Sequence, residues 1–342
     1  MKRSPLSVAD IADMHTLAAA FHAAAKGKRA RGDVEAFRAN LDRELLDIRT
    51  ALLNGTIELG RMRCFHIRDP KPRIIHAPCF QERVLHHAIM AHAGPVLDRV
   101  LVDDSYACRA GKGTLAAVQR VQHHAERHAW YAQIDIKSYF ASIDHGILLS
   151  QLGRLFKNAG LLSLFADIIG SFHSTPGKGL PIGTLTSQYF ANFHLAAADR
   201  IVLEQSGADG FVRYMDDLIW WGADRESVRA TLAVVRNDLQ TRLGLAVKQP
   251  VRVGRSRDGI AFCGYRILPG RLLLSRRRKR RYRELRAAAE TAWCAGEIDD
   301  AGLQRAYGSA LALTAHTQAV GWRRGELRLN PLAAELSDAY EY

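Results

Sequence analysis

Hydrophobic and polar positions along the chain change period several times, and each change marks an element. Residues 18–25 and 34–53 carry apolar residues at helical spacing, so the first sixty residues are expected to be helical. Between them, Lys26-Gly27-Lys28-Arg29-Ala30-Arg31-Gly32 reads as a basic loop, suited to solvent or a phosphate backbone. Residues 63–77 read as two strands around the turn Asp69-Pro70-Lys71-Pro72, and residues 78–100 as a helix interrupted near Gly94-Pro95. Trp130-Tyr131-Ala132-Gln133-Ile134-Asp135 is a short β-rich run ending at an acid. Residues 161–172 are apolar but short and contain Asp167, which suits a buried helix and not a membrane span. Long helices are expected over 187–206 and 226–243, with further helix over 303–322. Between the first two lies Phe211-Val212-Arg213-Tyr214-Met215-Asp216-Asp217-Leu218-Ile219-Trp220-Trp221, apolar at both ends and polar at the centre. That pattern predicts a β-hairpin whose tight turn carries two adjacent carboxylates.

Burying two neighbouring carboxylates costs several kcal/mol unless something cationic compensates. A divalent metal is the usual compensation; an Asp-Asp turn on the surface is the other reading. Asp135, at a strand end far away in sequence, can meet the hairpin within one sheet. Hard cations such as Mg²⁺ take one or two carboxylates plus substrate phosphates. Two of them about 3.5–4 Å apart clamp the attacking and leaving oxygens of a phosphoryl transfer.

Composition narrows the partner. Of 342 residues, 48% are hydrophobic, enough for a large core. The formal charge of +13 suits a polyanion, although a membrane surface would share it. Arg271, Arg276, Arg277, Arg278, Lys279, Arg280, Arg281, Arg283 and Arg286 crowd one stretch against Glu284 alone, the pattern of phosphate neutralisation. Cys64, Cys79, Cys108, Cys263 and Cys294 form no C-x-x-C pair, so neither a disulfide scaffold nor a zinc site is expected, and a reducing cytoplasm is the natural compartment. No signal peptide or membrane anchor is expected. His86-His87 and His123-His124 are adjacent on helices and point apart, so they are not read as ligand pairs. His145 is read as structural, and Ser187 lacks partners for a hydrolase triad.

Six blocks in order resemble those of reverse transcriptases. Lys71-Pro72-Arg73 is similar to the fingers motif that meets the triphosphate. Asp135 to Phe140, followed by Ser142-Ile143-Asp144-His145, resembles the first catalytic motif. Gly179-Leu180-Pro181-Ile182-Gly183-Thr184-Leu185-Thr186-Ser187-Gln188 resembles the second, and Tyr214-Met215-Asp216-Asp217 the third. Leu243-Gly244-Leu245-Ala246-Val247-Lys248 resembles the fourth, and Phe262-Cys263-Gly264-Tyr265-Arg266 the primer grip. The resemblance implies an α+β right-hand polymerase with an antiparallel palm sheet and a helical thumb. It divides the chain into an N-terminal helical extension (1–60), fingers (61–130), palm (131–265, with fingers elements near 146–180) and thumb (266–342).

The same resemblance implies roles. Asp135, Asp216, Asp217 and the backbone of Ile136 would hold two Mg²⁺ ions, with Mn²⁺ a possible substitute. Lys248 would be the general acid toward pyrophosphate. Lys71 and Arg73 would clamp phosphates, and Phe140 would exclude a ribose 2′-OH. Ile182, Gly183 and Gln188 would line the nucleotide site. Tyr214, Met215, Phe262, Gly264, Tyr265, Arg276, Arg277, Arg278, Lys279, Arg280 and Arg281 would contact primer and template.

Ile182 and Gln188, where most bacterial members carry Gln and Pro, resemble the diversity-generating retroelement type, as does Asp104-Ser105-Tyr106-Ala107-Cys108-Arg109-Ala110-Gly111-Lys112-Gly113-Thr114. That type implies error-prone cDNA synthesis, since an apolar group near the nascent pair removes a hydrogen-bonding discriminator. Expected partners are template RNA, a primer or cDNA strand and dNTPs, with a small basic helical accessory protein in that group. An antiphage-defence enzyme copying a structured non-coding RNA, and a non-catalytic maturase-like RNA-binding protein, are the competing readings.

Overall fold

The computed structural model describes residues 2–68, 72–205 and 207–331. The turn residues Asp69, Pro70 and Lys71 lie outside them. The N-terminal helices are α1 (Val8–Ile11), α2 (Met14–Ala25), α3 (Gly32–Ala39) and α4 (Leu41–Asn54). The expected single helix over 34–53 is two helices hinged at Asn40, and α4 ends on Gly55 at φ +67, which glycine adopts without strain. Strands β1 (Met62–Ile67) and β2 (Arg73–Pro78) form an antiparallel pair. Next come α5 (Phe80–Asp98), α6 (Thr114–Arg127), β3 (Trp130–Asp135), α7 (Tyr139–Ser142), α8 (His145–Gly153) and α9 (Ala159–Gly170). The break expected at Gly94-Pro95 is absent; α5 runs through Pro95 to Asp98 and gives up one backbone hydrogen bond in its last turn.

The chain continues through α10 (Leu185–His194), α11 (Ala196–Leu203), β4 (Gly210–Tyr214), β5 (Asp217–Gly222) and α12 (Arg225–Leu243). The helix expected over 187–206 is divided at Leu195. Helix α12 matches expectation because both signals are strong: Asp224 caps its start and Gly244, at φ +64, its end. Strands β6 (Arg252–Arg255), β7 (Ile260–Phe262), β8 (Tyr265–Leu268) and β9 (Arg271–Leu274) precede α13 (Arg276–Cys294), α14 (Asp300–Ala312) and α15 (Val320–Leu329).

The central sheet is antiparallel, ordered β4-β5-β3-β6. Strand β5 is buried on both faces, which explains its unbroken apolar sequence. Trp220 packs into the main core with α10–α12, and Trp221 into a second core with α6 and the β7-β8-β9 sheet. The architecture is α+β with antiparallel sheets, the class expected. Among the described residues no helix is long and apolar enough to cross a membrane.

Candidate active site

The register of the central sheet sets Asp135, the last residue of β3, directly opposite Asp217, the first of β5. Tyr214 pairs with Asp217 on the other side, so Met215 and Asp216 form a two-residue hairpin turn. Met215 takes φ +58, a left-handed conformation that a side chain adopts at a cost. The fully buried Arg213 holds the turn: its Nη1 donates to the Met215 carbonyl (3.0 Å) and to Asn192 Oδ1 (2.7 Å), while Nε and Nη2 grip Asp199 (2.6 and 2.7 Å).

The three carboxylates feel one another. Burial foremost, then repulsion from Asp135, holds the Asp216 carboxyl above its usual range. Asp217 is pushed up to about 7, again by burial first, with Asp135 and Asp216 adding repulsion against the hydrogen bond that Gln133 Nε2 donates to it (2.8 Å). Arg73 and Lys248 act the other way on Asp216. Lys248 Nζ lies 3.8 Å from Asp135 Oδ2, and its backbone N–H donates to the Asp135 carbonyl (2.8 Å). Ile136 is buried and bridges Val247.

Hard oxygen donors in mutual repulsion are the donor set a divalent cation relieves. Among the described residues no group of three His, Cys, Asp or Glu side chains is placed to hold a metal ion by itself. A site that shares its ion with substrate phosphates needs only the protein's part of the shell.

The second-motif loop packs against β2. Gly183, at φ +128, would place a Cβ 2.8 Å from the His76 carbonyl and from Ile75, so only glycine fits. The Ile182 carbonyl accepts from the His76 N–H (2.8 Å), joining this loop to β2. Register puts Arg73 and Ile75 on one face of β2, the face that meets Gly183. Phe140, half-buried beside Tyr139, accepts through its carbonyl from Leu180 N–H (2.8 Å). Gln188 lies on α10, its Oε1 3.7 Å from Cys108 Sγ.

The remaining expected residues divide into two groups. Tyr214 receives a hydrogen bond from Thr114 Oγ1 (3.1 Å). Phe262 and Tyr265 are buried in the second core, so the β7–β8 turn presents Cys263 and Gly264, the latter beside the Arg278 side chain. Helix α13 carries the basic run, and its charges are compensated more than composition suggests. Arg280 and Arg281 approach Glu284 (3.5 Å each), Arg283 pairs with Glu326, and Arg286 with Glu290. Arg278 packs over the Tyr265 ring (3.9 Å) and Lys279 over Trp322 (5.3 Å). Arg276 lines a cavity of about 540 Å³ with Lys279 and Trp322.

The family model for reverse transcriptase (RNA-dependent DNA polymerase) matches residues 68–250, just over half of the chain, including strands β3, β4 and β5 of the acid-bearing sheet. The chain belongs to the reverse transcriptase family. Protein YkfC of Escherichia coli (strain K12) is 23% identical over 301 residues, 74% of this chain and 76% of YkfC. The group II intron-encoded protein LtrA of Lactococcus lactis subsp. cremoris is 23% identical over 164 residues, 45% of this chain. The putative COX1/OXI3 intron 1 protein of Saccharomyces cerevisiae is 22% identical over 157 residues, 42% of this chain. The matches cover 27% of LtrA and 18% of the yeast protein. A structure of apo telomerase from Candida tropicalis superposes with a TM-score of 0.48 at 13% identity, covering 74% of this chain and 56% of the telomerase.

Sequence reasoning passed over three residues that position the hairpin and its carboxylates: Gln133, Arg213 and Asp199. Two carried a signal, for a Gln two residues before Asp135 and an Arg inside an apolar strand each demand a buried partner. Asp199 gave none, since an acid on a helix is ordinarily solvated.

Proposed function

We propose that the chain is an RNA-templated DNA polymerase that extends a primer with dNTPs by two-metal-ion nucleotidyl transfer. The observation that carries this is the pairing of Asp135 with Asp217 beside the Asp216 turn, in a chain of this family. Asp135, Asp216, Asp217 and the Ile136 carbonyl would hold two Mg²⁺ ions, or Mn²⁺ in their place. When bound, such ions lower the pKa of the primer 3′-hydroxyl and neutralise the departing pyrophosphate. Lys248 would give a proton to the pyrophosphate, a role its closeness to Asp135 supports. Arg73, and Lys71 outside the described residues, would clamp triphosphate oxygens. Phe140 would bar a 2′-OH. Tyr214, Met215, the β7–β8 turn and α13 would lie along primer and template.

In this assignment residues 1–60 are a helical extension, 61–130 fingers, 131–265 palm and 266–342 thumb. All five cysteines are free, which supports a reducing, cytoplasmic setting. Ile182, anchored through its carbonyl to β2, supports reduced fidelity and a diversity-generating role, with a basic helical protein as accessory. Primed RNA incubated with dNTPs or rNTPs, with Asp216→Ala as control, tests the polymerase. Extension with dNTPs alone, lost in the variant, is expected, and absence of extension by the wild type refutes it.

A further inference from the structure

A cavity of about 390 Å³ lies at the far end of the central sheet from the carboxylates. Strand β3 opens on Trp130 and closes on Asp135, a span of roughly 17 Å at about 3.3 Å per residue. Side chains alternate along it: Ala132 and Ile134 pack in the main core and Tyr131 in the second, so Trp130 stands on the face opposite Asp135. The cavity is thus separate from the carboxylate site. Register pairs Trp130 with Arg255 of β6, and the Arg255 guanidinium lies over the indole, 5.2 Å from the ring centroid. Arg127 at the end of α6, Arg257 in the turn after β6, and Pro269 complete the wall.

The wall is fixed from behind. Ser256 is buried; its N–H donates to the Ala129 carbonyl (2.9 Å) and its Oγ to the His128 carbonyl (2.6 Å). The Gly270 N–H donates to Glu126 Oε1 (3.1 Å), which ties down the Pro269 side. Three guanidiniums are held in this way against one lining carboxylate, Glu126. Outside the lining, Asp258 stands 4.0 Å from Arg257 Nε, both exposed, a pairing worth little in water. Asp209 lies 3.9 Å from His128 Nδ1. Arg127 donates to His123, and among the described residues no carboxylate pairs with Arg255.

All three cations are arginine. A guanidinium lies flat on an aromatic ring or a base and binds phosphate through two parallel hydrogen bonds, which an ammonium cannot do. The half-buried Trp130 and the Arg255 plane above it already form two layers of a stack. A planar base adds a third layer, and its phosphate then meets Arg127 and Arg257. A cavity of this size suits one small ligand and excludes a double helix. We infer that it binds a single unpaired nucleotide, with the base on the Trp130–Arg255 stack and the phosphate on the flanking arginines. The same chemistry is offered by a free nucleotide and by an unpaired position of an RNA strand.

The test is photo-crosslinking to the full chain, mapped residue by residue. One arm uses azidoadenosine monophosphate and the other a short single-stranded RNA carrying thiouridine. Label at Trp130 is expected. Arg255→Ala and Arg257→Ala should each lower it about tenfold, the scale of one lost stacking or charged phosphate contact. Arg257 is exposed, so its variant reads the site even where Arg255→Ala disturbs the sheet. Label from the mononucleotide assigns a free ligand, and label from the RNA alone assigns a strand. Label only at other residues, or label at Trp130 that both variants leave at the wild-type level, overturns the inference. No synthesis is scored, so the result stands apart from the polymerase reading.

Discussion

Gly183 and Asp217 show how single positions carry opposing demands. Any side chain at Gly183 meets the His76 carbonyl and Ile75 at 2.8 Å and adds a backbone penalty at φ +128. Gly183→Ala is therefore expected to cost about 1–3 kcal/mol and to raise the KM for dNTPs, read from thermal melts and steady-state extension. Asp217 is destabilising while no cation is bound. Its folded carboxyl titrates near 7, against about 3.9 when unfolded. The folded state thus holds a proton that the unfolded chain has released, and stability falls as pH rises from about 4 to 7. Asp217→Asn should stabilise the metal-free protein, by on the order of a few kcal/mol at pH 8, with the gain vanishing toward pH 4. The same variant should lose primer extension. Denaturation at several pH values measures the first effect, and a gain equal at pH 4 and pH 8 would refute it.

At the scale of elements, the hairpin depends on a strut from α11. Asp199 and Arg213 are both fully buried, and removing one partner strands the other's charge. Asp199→Ala is expected to destabilise by about 3–5 kcal/mol, and Arg213→Met paired with Asp199→Leu by much less. Urea titration of the single and double variants distinguishes these outcomes. Elements whose ends carry their own chemistry were legible in the sequence. Helix α12 has Asp224 and Gly244, and the β4–β5 hairpin has apolar arms around its acids. The breaks at Asn40 and Leu195 were not, because no Gly or Pro marks them and packing alone decides where the helix turns. The β7-β8-β9 sheet was seen only as a local motif. Its strands have three or four residues, too few to establish a period. The acids could be listed from sequence, whereas the facing of Asp135 and Asp217 follows from β3–β5 register across a long intervening stretch.

For the molecule as a whole, acid sensitivity follows from imidazoles sealed in the core. Burial first of all lowers His86 to about 3 and His124 and His194 to about 4. Below pH 6.5 the unfolded chain takes up protons that the folded chain refuses, so this stability is complete above 6.5 and declines toward 4. The loss is expected to be on the order of 1–2 kcal/mol per histidine by pH 5. Denaturation midpoints in the Asp217→Asn background, where the opposing carboxylate is absent, should fall steadily over that range.

The placement of β3 between β5 and β6 bears on how the protein comes into being. Asp135 leaves the ribosome well before its companions, and β5 must thread in beside β3 before they meet. A nascent chain released before residue 217 therefore lacks the facing pair of Asp135 and Asp217 and is no more than a cationic fragment. Competence arrives in one step, late in synthesis, after the N-terminal helices have had time to assemble.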